Sequence, residues 1–193
     1  MPTPPLILAS TSRYRRELLE RLRLPFSVLA PAVDETPLAG EAPPHLAERL
    51  ALAKARAVAV QHPDAFVIGS DQVADLQGRC LGKPGHHEAA VAQLRAMSGH
   101  QVDFHTAVAL VAPGYAECTR VTVSVRFRSL DDAEIETYLR LEQPYDCAGS
   151  AKSEGLGIVL LEAIHSTDPT ALVGLPLIET TRLLRAAGYP LLR

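Results

Sequence analysis

The chain has 193 residues, of which 47% are hydrophobic and 21% charged, with a formal net charge of -3. That composition excludes general disorder and suits one substantial core rather than two independent domains. The slightly acidic balance argues against a broad surface for a nucleic-acid polymer or an anionic membrane, so functional positive charge must be gathered in one pocket, as a small anionic ligand requires.

The apolar run Leu6-Ile7-Leu8-Ala9 stops at Ser10-Thr11-Ser12, and Arg13-Tyr14-Arg15-Arg16 leads into a helix pattern with Leu18, Leu19 and Leu22 on one face. A strand, a tight loop and a helix start are expected. Such a loop combines free backbone N–H groups, a positive helix end, hydroxyls and guanidinium forks, each of which favours a bound phosphate. Read more plainly, Ser12 is a helix N-cap and Arg15 and Arg16 lie on a solvated face. Pro25 closes the helix before a strand over 26–30, completing a first β-α-β unit. Residues 31–40 form a proline-fenced loop that holds the adjacent acids Asp34 and Glu35.

An Ala-rich amphipathic helix is expected over 44–61, then a buried β-branched strand from Phe66 that ends at Asp71 and places an acid at its carboxyl end. A small hairpin around Gln77-Gly78 leads to Gly82-Lys83-Pro84-Gly85, a turn before a helix over 86–96. Residues 101–112 and 116–128 read as a long hairpin about Pro113-Gly114-Tyr115. A helix from about Ser129 to Leu141 follows, with acids in its first turn. Residues 147–157 are a small-residue loop, 158–162 a strand, and 176–187 a C-terminal helix. The fold class expected is mixed α/β, a twisted sheet flanked by helices with a two-lobed cleft, in a single domain over 1–193.

Cys80, Cys118 and Cys147 are far apart and lack metal-site spacing, which suits reduced thiols in a cytoplasm. No leader or membrane span is expected, and the protein is read as cytoplasmic. Among 19 basic residues only Lys54, Lys83 and Lys152 are lysine, so each marks a position where a compact ammonium is preferred to a guanidinium. Ser- and Arg-rich loop residues, Asp34-Glu35, Asp71, Lys83 and Lys152 beside Glu154 are together the parts of a metal-assisted phosphoryl enzyme. Singly, Asp34 reads as a turn cap, Lys83 as an exposed side chain and Asp71 as an ion-paired acid.

Ala-Ser-Thr-Ser-x-x-Arg-Arg at 9–16, Val-Asp-Glu at 33–35, Lys-Ala at 54–55, Ile-Gly-Ser-Asp-Gln at 68–72, Gly-Lys-Pro at 82–84 and Lys-Ser-Glu-Gly at 152–155 resemble the Maf family, from about Leu6 to Arg185. The resemblance implies an inosine triphosphatase-like fold and a nucleoside triphosphate pyrophosphatase. Gln72 and Glu154 match the branch that acts on 7-methyl-GTP, and Tyr14 stands at the third position associated with specificity, where a Trp is expected. Arg13 replaces an expected proline.

The implied roles are catalytic for Asp71, Lys83, Lys54 and Glu35, with Asp71 and Glu35 also holding Mg²⁺ or Mn²⁺. Ser10, Arg15 and Arg16 would bind the triphosphate, and Tyr14, Gln72 and Glu154 would select the base. The expected partner is a small-molecule nucleotide, with neither nucleic-acid polymer nor membrane, and a homodimer is left open. Two alternatives stand beside this reading: a Maf enzyme for pyrimidine triphosphates, and a nucleotide-binding regulator of cell division with little turnover.

Overall fold

The computed structural model describes residues 3–192. Its frame is one seven-stranded mixed sheet in the order β2-β1-β3-β5-β6-β7, with β4 paired to β3 off this path. The strands are β1 (Leu6–Ala9), β2 (Ser27–Leu29), β3 (Phe66–Leu76), β4 (Arg79–Leu81), β5 (Gln101–Ala112), β6 (Tyr115–Phe127) and β7 (Leu161–His165). β1 runs parallel to both β2 and β3, and every other pairing is antiparallel. The expected α/β class and the long hairpin are both present.

Strand periodicity divides the core. Leu6, Leu8 and Ile68 point to one face, where they pack with α1 (Arg13–Glu20) and α5 (Leu177–Ala186) through Leu18, Leu19, Leu183 and Leu184. Ile7, Ala9 and Val67 point to the other, against Leu46, Leu50, Ala51, Ala55 and Val58 of α2 (Pro43–Ala59). A strand buried on both faces reads as a continuous apolar run, as β1 does. The outer halves of β5 and β6 form a third core with α3 (His87–Met97) and α4 (Asp132–Glu142) around Phe104, Val123, Phe127, Ile135 and Leu139. These two ends of the sheet are the two lobes.

Two expectations are corrected. β3 does not end at Asp71 but continues to Leu76, because β5 pairs with it throughout and β4 joins it from Ala74. The strand expected over 158–162 is a 3-10 turn over Leu156–Leu160, and β7 begins only at Leu161. There the Leu156 amide donates to the Glu142 carboxylate and the Val159 carbonyl accepts from Arg128, contacts that wind the segment and override its apolar run. A short apolar run does not distinguish strand from helical turn. α4 starts at a capping box formed by Asp131 and Glu134 and ends at Gln143, whose backbone is left-handed.

Candidate active site

β1 ends at Ala9, opposite Gly69 of β3, and β4 takes up the same side of β3 only at Ala74. Ser70–Val73 therefore have an open edge, and a cleft of about 790 Å³ passes through the gap. It lies at the carboxyl ends of the parallel strands, where α/β sheets generally take ligands, and its size suits a small molecule. Because the opening is a gap in the sheet, side chains from both faces of β3 line it. Asp71 is thus mid-strand in β3 yet just past the end of the parallel part.

Lys54 reaches Asp71 from α2. Gly69, Ala51 and Ala55 make this possible: a Cβ at Gly69 would collide with the Ala51 carbonyl oxygen and lie 2.6 Å from the Ala55 nitrogen, so only glycine lets α2 lie this close. The buried Lys54 Nζ is 2.7 Å from Asp71 Oδ1 and 2.8 Å from Glu35 Oε1, which approaches from the exposed loop after β2. Burying an ammonium is costly unless it is paired, and here two carboxylates converge on it. Asp34 stays outside, its Oδ1 accepting from the Thr36 amide as a turn cap.

The phosphate-side residues surround this group. Ser10 is buried, its Oγ accepting from the Ser12 amide at 3.1 Å, and Ser12 caps α1 by accepting from the Arg15 amide. The first turn of α1 contains Arg13, Arg15 and Arg16 and no acid, an arrangement opposed to the helix dipole unless an anion sits there. Arg15 Nε donates to the Gly174 carbonyl at 2.9 Å, which leaves the terminal nitrogens free for the cleft. Burial pulls the Arg15 guanidinium below its usual range, opposed by the charges of Asp71 and Glu35; it remains a cation. Arg16 is not brought to the cleft: one position along the helix is a rotation of about 100°, and its Nε pairs with Glu20 at 2.9 Å on the exposed side.

Lys83 lines the cleft from the turn after β4. If its place requires a point-charge ammonium, Lys83→Arg will lower kcat/KM nearly as much as Lys83→Ala. Near-normal kcat/KM for the Arg variant would show that charge alone matters there.

Tyr14, Asp146, Cys147 and Glu154 also line the cleft. Burial, more than any contact, raises the Tyr14 phenol above its usual range, so it is a neutral donor at physiological pH. Lys152 turns away to Glu142 at 3.3 Å, leaving the exposed Glu154 carboxylate without it as an ion-pair partner. Gln72 faces the side of β3 opposite Asp71; its amide nitrogen lies 2.9 Å from Thr106 Oγ1, 3.0 Å from the Ala171 carbonyl and 2.9 Å from the Leu172 carbonyl. Its nitrogen therefore fixes the 171–174 loop, and its Oε1 is what it can offer a ligand.

Several supporting residues escape a reading of the sequence. Buried Asp168 accepts from the Thr170 amide and hydroxyl and from the Ile178 amide, shaping the loop that presents Gly174 to Arg15. Ser70 Oγ lies within hydrogen-bond distance of the Ala107 and Gly174 carbonyls. Asp168-Pro169-Thr170 has the composition of an Asx turn, the one local signal available for the loop.

The sequence matches the family described as Maf-like protein over residues 5–187. It is 67% identical to the 7-methyl-GTP pyrophosphatase of Polaromonas sp. (strain JS666 / ATCC BAA-500), covering 97% of this chain and 86% of that protein. Proteins of the same name from Albidiferax ferrireducens and Cupriavidus pinatubonensis are 64% and 59% identical, covering 97% and 98% of this chain and 95% and 96% of theirs. Among solved structures it is similar to the Staphylococcus aureus Ham1 protein, with a TM-score of 0.47 and 19% identity over 64% of this chain and 71% of that one.

Proposed function

The chain belongs to the Maf family and is a nucleoside triphosphate pyrophosphatase, and we propose that its substrate is 7-methyl-GTP, cleaved between the α and β phosphates to 7-methyl-GMP and pyrophosphate. The observation that supports this most is that relatives of that name are 59–67% identical over nearly the whole chain. The triphosphate enters beside Ser10, Arg15 and Lys83, where the Arg15 guanidinium and the N-terminal end of α1 favour its negative charge. Asp71 accepts a proton from the attacking water, and Lys54 orients it through the 2.7 Å contact.

Asp71 and Glu35 would hold Mg²⁺ or Mn²⁺. Both converge on one ammonium, and each has a second oxygen not used in that contact. Among the described residues no group of three or more His, Cys, Asp or Glu could by itself hold a metal. One or two carboxylates completed by substrate phosphates is a donor set that suits Mg²⁺. When bound, the ion would supply neutralisation of phosphate charge. Unpaired Cys80, Cys118 and Cys147 fit a reducing compartment, and we place the protein in the cytoplasm on that ground.

Glu154 should read the base, because a carboxylate accepts two donors from the Watson–Crick edge of guanine, whereas an amide offers one acceptor and one donor. Glu154→Gln is expected to lower kcat/KM for 7-methyl-GTP by about tenfold to a hundredfold, and by less for UTP or dTTP. Kinetics on the three substrates check this. An equal loss on all of them would mean that Glu154 shapes the loop and does not contact the base.

A further inference from the structure

Arg13 lines the cleft and is held there by contacts that the pyrophosphatase chemistry does not require. Its guanidinium carbon lies 4.7 Å from the Tyr14 ring centroid, over the ring. Its Nη2 donates to Tyr14 Oη at 2.8 Å and lies 3.8 Å from Asp146 Oδ2. Tyr14 Oη in turn donates toward Asp146 at 3.3 Å, and Cys147 Sγ is 3.4 Å from the same carboxylate. The ring and hydroxyl of Tyr14 and the Asp146 carboxylate thus contact one side of a planar, delocalised cation.

A guanine ring methylated at N7 is also a planar, delocalised cation. We propose that Arg13 is an internal stand-in for the base: its guanidinium holds a cation subsite made by Tyr14 and Asp146, a cationic base displaces it, and Asp146 is thereby a specificity-determining residue. This rests on the assignment of 7-methyl-GTP as substrate. Displacement is cheap because the pair is exposed: the Arg13 and Asp146 side chains retain 64% and 54% of their accessible surface, and ion pairs so exposed are weak. Burial would raise the Asp146 carboxyl, but hydrogen bonds from Cys147 and Tyr14 and the nearby Lys152 charge outweigh it and hold it below its ordinary range. The acid is therefore charged whether or not Arg13 is in place. Glu154 lines the same cleft and adds a second negative charge to that of Asp146.

The subsite predicts opposite effects for its two charges. Asp146→Asn, nearly isosteric, should lower the ratio of kcat/KM for 7-methyl-GTP to that for GTP about tenfold, through KM and not kcat. Arg13→Gln should lower KM for 7-methyl-GTP about threefold while leaving KM for GTP level or raised. The wild-type ratio is measured first: if the enzyme does not prefer 7-methyl-GTP to GTP, the substrate assignment fails. If it does prefer it and Asp146→Asn keeps the ratio, the subsite is wrong while the assignment stands. A rise in KM for both nucleotides in Arg13→Gln would likewise overturn the proposal, because Arg13 would then be a phosphate ligand. Should Asp146→Asn fail to fold, the Arg13 variant alone decides.

Discussion

Asp71→Asn is expected to abolish pyrophosphate release while the protein stays folded and binds nucleotide. The substitution keeps the side-chain volume and leaves Oδ1 as an acceptor for Lys54 Nζ, now 2.7 Å away, so the buried ammonium is not stranded and Glu35 remains as its counter-charge. What disappears is the proton acceptor and half of the paired negative charge on which a divalent ion would depend. Loss of a general base alone lowers rates by about 10²–10⁴-fold, and loss of metal affinity adds to it. Single-turnover hydrolysis at rising Mg²⁺ concentration separates the two effects, and a thermal melt checks that the variant is folded. A folded variant with wild-type turnover would remove Asp71 from the mechanism.

Gly69→Ala is expected to be the most damaging small substitution in the chain. A Cβ there meets backbone, the Ala51 carbonyl oxygen and the Ala55 nitrogen 2.6 Å away, and backbone within a helix cannot rotate aside as a side chain can. α2 must be pushed off the sheet. Overpacking of this kind costs about 3 kcal/mol, which for a chain of this size lowers Tm by roughly 6–12 °C. The same displacement carries Lys54 away from Asp71, since Lys54 lies one residue from Ala55 on that helix. Activity of the surviving folded fraction should therefore fall as well. An unchanged Tm with unchanged kcat would mean that α2 can retreat without cost, contrary to the packing at Gly69.

Much of this was legible in the sequence because it is written in local signals. The stop of Leu6–Ala9 at three hydroxyl residues, the Pro-Gly hairpin and the capping residues of α4 each depend on neighbours a few positions away. The scarcity of lysine marks Lys54, Lys83 and Lys152 alike, and only the structure shows that Lys54 meets Asp71, Lys83 lines the cleft and Lys152 pairs with Glu142 ten positions back. What could not be read depends on pairing across the fold. Asp71 looked like a strand end, and it is one only for β1's side of the sheet, since β5 continues along the other edge. Arg16 differs from Arg15 only by helical phase, and adjacency in sequence hid that difference. The nitrogen of Gln72 holds a loop about a hundred residues further on, a partnership no local pattern encodes. Asp146 lies outside every motif and Arg13 is a variable position within one, and only the fold brings the two together at Tyr14.

This cleft hydrolyses a nucleoside triphosphate to its monophosphate and pyrophosphate, and the proposed preference is for a guanine methylated at N7. The most direct measurement is pyrophosphate release by the full chain, with Mg²⁺ or Mn²⁺ present, across a panel of 7-methyl-GTP, GTP, UTP, CTP, dTTP and ATP. The highest kcat/KM is expected for 7-methyl-GTP, with 7-methyl-GMP and pyrophosphate in equal amounts. Preference for a pyrimidine triphosphate, release of inorganic phosphate in place of pyrophosphate, or nucleotide binding without turnover would contradict it.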